Sequence, residues 1–198
     1  MMRAPIRPRV LITKRLTEPV ERALAGRFEI MNSPGHDPVS IGLAASGFDP
    51  HALVVRDDLP EDICERAPSL LHVARHGVGL DVIPMAQCAH HQVTVSNVPG
   101  GNAVSVAEWC VAQMLALAHS LPQIGASMRE RGWGATRTAF SGRAHDLSGR
   151  QVGLIGCGAI GSALARMLHF GFGVRVTAFV RSPDKLPAHV QALDWQAC

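Results

Sequence analysis

The residues best placed to do chemistry lie in a six-residue stretch from Gly156 to Gly161, which fits the pattern G-x-G-x-x-G. The apolar run 152–155 before it is typical of a buried strand, and 162–169 after it of a helix. In that setting the first glycine permits a tight turn, the second lets the backbone approach a pyrophosphate, and the third lets helix and strand pack closely. The free N–H groups that begin the helix would hold the phosphates. The residues predicted to bind a dinucleotide here are Gly156, Gly158, Ala159, Ile160 and Gly161.

A second apolar strand, 174–180, follows that helix, and no acidic residue ends it. An acidic residue about 20 positions after the glycines would bind the ribose of NAD, whereas an arginine can accommodate the 2′-phosphate of NADP. Arg181 and Ser182 stand at this place. We predict that both meet the adenosine ribose, which favours NADP over NAD but leaves both cofactors open.

Composition excludes several other classes of protein. The 198 residues are 47% apolar and carry a net charge of only +3. The basic residues are scattered, whereas nucleic-acid binding calls for a clustered basic stripe. Tyrosine is absent, which excludes the tyrosine acid of short-chain dehydrogenases. Five cysteines without a C-x-x-C pair indicate free thiols in a reducing cytoplasm rather than disulfides or a metal site.

The first hundred residues alternate short apolar runs with helical ones, which predicts an α/β fold with a parallel sheet covered on both faces. The predicted strands are 10–13, 28–31, 52–56, 71–75 and 93–96, and the predicted helices are 18–26, 61–67 and 82–90, with loops and one short helix in 32–50.

A long helix from about Val104 to Arg131 follows these strands. Its first half is apolar nearly all round, so we expect it to be buried between two domains or two subunits rather than to cross a membrane. Residues 132–150 are predicted to form a surface connection. The boundary at Gly100-Gly101 divides the chain into predicted domains 1–100 and 101–198.

Several stretches together resemble the D-isomer-specific 2-hydroxyacid dehydrogenases, the family of phosphoglycerate, D-lactate, glyoxylate and hydroxypyruvate reductases. The matching pieces are Ala52-Leu53-Val54-Val55-Arg56, Arg75-His76-Gly77-Val78-Gly79-Leu80-Asp81, Asn97-Val98-Pro99-Gly100-Gly101-Asn102, Ser105-Val106-Ala107-Glu108, Trp133 and Leu147-Ser148-Gly149-Arg150. The resemblance implies a flavodoxin-like substrate domain followed by a Rossmann NAD(P)-binding domain. It also implies reversible reduction of a 2-oxo acid to a D-2-hydroxy acid.

The resemblance also assigns substrate contacts. Val78 and Gly79 would offer backbone N–H groups to the substrate carboxylate, a role that suits a glycine turn after a parallel strand. Asn102 would lie near the substrate and the domain hinge, and Arg56 would reach the far end of the substrate. Asp57 stands where the family often has a small hydroxyl residue, and its carboxylate would repel a phosphorylated substrate. The helix after Asn102 would pack against a second copy of the chain.

Other polar residues are expected to have structural roles only. The pairs Asp57-Asp58 and His90-His91, together with Asp81, are expected to be helix caps and solvated surface. Asn102 could also be the N-cap of the long helix.

No residue is assigned a catalytic role. Only 37 residues follow Gly161, and the family's acid/base histidine, its glutamate partner and its substrate-binding arginine would lie further downstream. The resemblance therefore implies the N-terminal portion of an enzyme, with an incomplete Rossmann domain and negligible turnover as this chain alone. The alternative is a non-catalytic remnant that only dimerises or binds a nucleotide.

Overall fold

The computed structural model describes residues 7–193. The chain divides into two compact units, Met1–Gly101 and Asn102–Cys198. Each unit contains its own parallel sheet with helices packed against it. The α/β class expected from the alternating pattern is therefore confirmed.

The first unit holds five parallel strands in the order β2-β1-β3-β4-β5. This order is that of the flavodoxin-like fold. Because the strands are parallel, all five carboxyl ends meet at one edge of the sheet. The strands are β1 Arg9–Ile12, β2 Glu29–Asn32, β3 Ala52–Val55, β4 His72–Arg75 and β5 Thr94–Ser96, and the helices are α1 Glu18–Ala25, α2 Pro38–Phe48, α3 Ile63–Arg66 and α4 Met85–His90.

The core of the first unit lies on one face of this sheet, because its strand residues are register partners across neighbouring strands. Fully buried side chains include Leu11 and Leu53 from the strands and Ile41 and Ile63 from the helices. Helix α2 begins at Asp37, whose carboxylate accepts a hydrogen bond from the Ser40 N–H at 2.9 Å. This N-cap fixes the start of an eleven-residue helix in a region for which the sequence predicted mainly loops.

The second unit holds three parallel strands in the order β6-β7-β8. A π-helical segment, Met167–Gly171, continues α7, and a short 3₁₀ turn, Pro183–Lys185, precedes the last strand. The sequence interpretation missed the third strand. The elements are α5 Ala103–Ala118, α6 Leu121–Phe140, β6 Gln151–Ile155, α7 Ala159–Arg166, β7 Arg175–Phe179 and β8 Val190–Ala192.

The prediction of one long helix over 104–131 is wrong. Ser120 adopts a left-handed conformation with φ of 53°, which ends α5 and separates it from α6. The two helices are bent by 55°. Helix α6 then runs through the predicted surface connection as far as Phe140, with a second break at Gly132, where φ is 73°.

Within one copy of the chain α5 is largely exposed, so its burial between two domains or two subunits stays a prediction. Only Ala103 and Ala107 are buried along this helix, and the Trp109 side chain is 63% exposed. Strand β6 likewise has one covered face, because Val152 and Leu154 pack in the core while Ile155 is 88% exposed. The apolar runs therefore overstated how far each element is covered within residues 7–193.

Two other features of the sequence were tested by the fold. Among the described residues no single helix is long and apolar enough to span a membrane, and α5 with α6 reaches that length only as a bent pair.

The four cysteines between residues 7 and 193 are free. Cys64 and Cys88 lie in the first core, and burial raises the pKa of the Cys64 thiol to about 12. Cys198 and the tail that begins at Trp195 lie outside the described residues.

Candidate functional site

The glycine stretch forms a strand–turn–helix at the carboxyl edge of the second sheet. Gly156 follows β6 with φ of +90°, a left-handed conformation that favours glycine. A Cβ on Gly161 would lie 2.7 Å from the Gly156 carbonyl oxygen, so α7 and the turn touch at this point. A Cβ on Gly158 would meet nothing within 4 Å, which leaves open space beside the helix start.

A pocket of about 440 Å³ opens beside this turn. The first N–H groups of α7, on Ala159, Ile160 and Gly161, have no acceptor within the helix, and the helix dipole makes this end positive. The two cations in the lining, Arg181 and Lys185, add to that field, and no carboxylate lines the pocket. These groups fit the phosphates of a dinucleotide. The lining residues are Ile155, Gly156, Cys157, Gly158, Phe179, Val180, Arg181, Ser182, Lys185 and Leu186.

The predicted substrate residues of the first unit lie at the carboxyl edge of its sheet. Val78 and Gly79 form the turn after β4, and both are exposed. The Gly77 and Val78 carbonyl oxygens accept hydrogen bonds from the Val98 N–H at 2.9 Å and the Asn97 side chain at 2.7 Å. No described acceptor takes the N–H groups of Val78 and Gly79. The Asp81 carboxylate lies beside Gly79, because a Cβ on that glycine would be 2.5 Å from Asp81 Oδ1.

Arg56 and Asp57 follow β3 at the same edge, next to the end of β1. The Arg56 side chain is exposed, and its backbone N–H donates to the buried Thr13 hydroxyl at 3.0 Å. That hydroxyl in turn donates to Asp57 Oδ2 at 3.0 Å. His36 Nδ1 lies 3.8 Å from the same oxygen. The expectation of a merely solvated Asp57 is wrong, because its side chain is only 19% exposed and is anchored by Thr13.

Asn102 stands at the N-cap position of α5, as the sequence suggested. Its side chain makes no capping hydrogen bond, and only its backbone carbonyl accepts, from the Val106 N–H at 3.0 Å. Asn102 therefore occupies the N-cap position, but the side-chain cap that an asparagine can supply there is not made. The exposed Asn102 amide remains available for the contact that the resemblance implies.

Sequence reasoning missed several residues of these sites. Lys185 lines the nucleotide pocket because the 3₁₀ turn folds back toward Arg181, and a lysine four positions after an arginine was the available signal. Thr13 and His36 are far from Asp57 in sequence, so only the sheet order brings them together. Within residues 7–193 no group of three histidine, cysteine or acidic side chains could hold a metal ion.

Comparison with known proteins places these features in one family. Residues 111–196 match the model of the D-isomer specific 2-hydroxyacid dehydrogenase NAD binding domain. The D-3-phosphoglycerate dehydrogenase of Mycobacterium bovis is 35% identical over 188 residues, which cover 94% of this chain and 34% of that protein. The enzyme of the same name from Bacillus subtilis is 38% identical over 130 residues, 65% of this chain and 24% of that protein.

A solved structure is also similar to this chain in fold. The NADPH-dependent glyoxylate/hydroxypyruvate reductase of Sinorhizobium meliloti, solved with citrate, superposes with a TM-score of 0.77 at 28% identity, covering 94% of this chain and 58% of that one. The chain thus spans about a third or less of the two curated relatives' own length.

Two parallel α/β units, the second with a strand–turn–helix that fits dinucleotide phosphates, define an α/β protein with a Rossmann-type candidate nucleotide site. The chain belongs to the D-isomer-specific 2-hydroxyacid dehydrogenase family.

Proposed function

We propose that this chain supplies the substrate-carboxylate turn and the adenosine side of the cofactor site for NAD(P)-dependent interconversion of 2-oxo acids and D-2-hydroxy acids in the cytoplasm. The observation that carries the proposal is the pocket at the start of α7, which Gly156, Gly158, Arg181 and Lys185 line. The carboxylate would bind Val78 and Gly79, with Arg56 at the far end of the substrate. Asn102 stays a substrate contact that the resemblance implies. When bound, the nicotinamide supplies or accepts the hydride at the substrate's second carbon.

We propose NADP as the preferred cofactor. Arg181 and Lys185 both line the pocket, and charge-assisted hydrogen bonds to a 2′-phosphate are stronger than neutral ones. The Sinorhizobium meliloti reductase is described as NADPH-dependent, which supports the same choice. Ser182, which also lines the pocket, would add a hydroxyl donor to that phosphate.

A thermal-shift titration of the 198-residue chain with NADPH and NADH tests the nucleotide site, because a ligand that binds only the folded state raises the melting temperature. NADPH is expected to give the larger rise. Arg181→Ala should weaken NADPH binding by about tenfold or more, and NADH binding little, since one charge-assisted bond contributes roughly 1.5–3 kcal/mol. Absence of any rise with either nucleotide would contradict the site itself.

We propose that this chain alone turns over little substrate. None of the residues carried over from the resemblance is an acid/base group, and a positioned acid contributes about 10²–10⁴-fold to such a reaction. The measurement is NADPH oxidation with glyoxylate and with hydroxypyruvate in the samples used for the thermal shift. Measurable turnover would show that an acid/base group exists that the sequence interpretation missed.

We propose a second copy of the chain as the partner of α5. Val104, Trp109 and Leu117 are exposed on this helix, which is an unusual density of large apolar side chains for a surface. A homodimer through this helix would cover them, as the resemblance implies.

A further inference from the structure

The turn after β4 is held by hydrogen bonds to three successive carbonyl groups. The Gly77 oxygen accepts from the Val98 N–H at 2.9 Å, and the Val78 oxygen accepts from Asn97 Nδ2 at 2.7 Å. The Gly79 oxygen accepts from Arg75 Nε at 2.9 Å. Two of the three donors are therefore side chains, on Arg75 and Asn97.

Fixing these carbonyls also fixes the N–H groups that the turn offers. In a planar trans peptide the carbonyl of one residue and the N–H of the next point in opposite directions. The bond from Val98 therefore orients the Val78 N–H, the bond from Asn97 orients the Gly79 N–H, and the bond from Arg75 orients the Leu80 N–H. Each of these three N–H groups therefore points away from the donor that holds the carbonyl of the same peptide, and no described acceptor takes any of them.

Arg75 also ties the turn to the neighbouring strand. Its NH1 donates to the Val55 carbonyl at 3.0 Å, immediately before Arg56. The guanidinium lies so close to Gly77 that a Cβ there would be 3.1 Å from Arg75 Cζ. A side chain at position 77 would therefore push the Arg75 guanidinium by a few tenths of an ångström.

We propose that Arg75 and Asn97 are positioning residues, which hold the N–H groups of Val78, Gly79 and Leu80 toward the substrate carboxylate and set their distance from Arg56. The proposal rests on the proposed function, since it assumes that this turn binds the carboxylate. It adds the Leu80 N–H as a third donor. A carboxylate has two oxygens and several lone pairs, so it can use all three donors.

The test is an NMR titration of the full ¹⁵N-labelled chain with glycolate, a minimal 2-hydroxy carboxylate. In the wild-type chain the amide signals of Val78, Gly79 and Leu80 are expected to shift and saturate. Asn97→Ala should weaken glycolate binding by about tenfold and reduce the shift at Gly79 most. Arg75→Met should weaken it similarly and reduce the shift at Leu80 most.

Conservative variants and a matched control separate positioning from general destabilisation. Arg75→Lys, which keeps a cationic donor, should recover part of the affinity, and Asn97→Ser serves if Asn97→Ala does not fold. Arg66→Met is the matched control. It removes an α3 arginine whose side chain donates a hydrogen bond to Asp62, and it should leave the glycolate titration unchanged.

Two outcomes would contradict different statements. Folded variants with wild-type glycolate affinity and an unchanged pattern of shifts would overturn the positioning role of Arg75 and Asn97. A wild-type chain whose Val78 and Gly79 signals do not move would overturn the carboxylate role of the turn, and the positioning role with it, before any variant is made.

Discussion

At the scale of single residues, the second and third glycines of the nucleotide turn, Gly158 and Gly161, are needed for different reasons. Gly161→Ala would place a methyl group 2.7 Å from the Gly156 oxygen, so both folding and binding should suffer. Overpacking costs about 1–3 kcal/mol, which lowers the melting temperature by roughly 2–12 °C in a chain of this size. Gly158→Ala meets open space and should keep the wild-type melting temperature while losing the rise given by NADPH.

Thermal-shift measurements on both variants separate these effects. Gly171→Ala is the matched control, because an added Cβ there also meets nothing within 4 Å and the residue is remote from the turn in sequence. Gly171→Ala should change neither the melting temperature nor its rise with NADPH. A Gly158→Ala chain that responds fully to NADPH would refute the close approach of the cofactor at this position.

Asp49 should give the first unit an acid-sensitive stability. Hydrogen bonds from the Ser69 hydroxyl and N–H, with the nearby Arg9 guanidinium, lower the pKa of this carboxyl below its usual value. Its contribution is therefore fully present above the unfolded pKa of about 3.9 and is lost as the pH falls through the lower folded pKa. Asp49→Asn should be less stable than wild type at pH 7, with the difference shrinking below about pH 4.

Urea unfolding of both chains from pH 7 to pH 2.5 measures this difference. Asp58→Asn is the control, since no hydrogen bond or ion pair ties the Asp58 side chain among residues 7–193. A constant difference between Asp49→Asn and wild type across the whole pH range would exclude the carboxylate as its cause.

At the scale of elements, the sequence predicted what depends on local pattern and failed where distant contacts decide. All five strands of the first unit were placed to within one or two residues, because short apolar runs between glycines and prolines have few alternatives. The α5–α6 break was missed although Pro122, in the first turn of α6, signals a helix end or kink, because that proline was read as part of one apolar helix. Strand β8 was missed because three residues, Val190–Ala192, are too few to show a period.

The candidate sites show the same division. The glycines of 156–161 and the turn 77–79 were found from spacing, because their chemistry lies in the backbone. Lys185 and the Thr13–Asp57 pair depend on how the chain folds back over a sheet edge. No local pattern encodes such a contact.

The α5–α6 break predicts a stabilising substitution. A left-handed residue other than glycine costs about 1–2 kcal/mol in the backbone, part of which glycine returns as extra freedom in the unfolded chain. Ser120→Gly should therefore raise stability by about 0.5–1 kcal/mol, and Ser120→Ala should not. Thermal denaturation of the two variants measures this difference in stability. Equal melting temperatures for Ser120→Gly and Ser120→Ala would show that the backbone at the break is not strained.

At the scale of the whole molecule, the first unit should fold by itself. Its core cluster runs from Leu11 to Val93 and its five strands are all within residues 1–101. A polypeptide of those residues is expected to unfold in one cooperative thermal transition, followed by circular dichroism. A broad, non-cooperative melt would mean that this core needs residues beyond Gly101.

The proposed dimer makes a prediction at the same scale. Trp109→Glu places a charge on an exposed position of α5, so it should leave the fold intact and convert dimer to monomer in light-scattering measurements. Val39→Glu, at a 70% exposed position on α2, is the matched control and should remain dimeric. A wild-type chain that is monomeric at micromolar concentration would rule out a stable dimer.

The parallel arrangement of every strand pair also governs how quickly this molecule can reach its native state. Between residues 7 and 193 no two neighbouring strands are joined by a hairpin, so each pair forms only when the crossover segment between its strands closes. The shortest closure brings Val176 beside Val190, only fourteen residues on, whereas β1 and β3 join residues as far apart as Val10 and Ala52. Refolding should therefore be slow for the chain's size. The β7–β8 pair closes the shortest loop and loses the least chain entropy, so we expect it to form first.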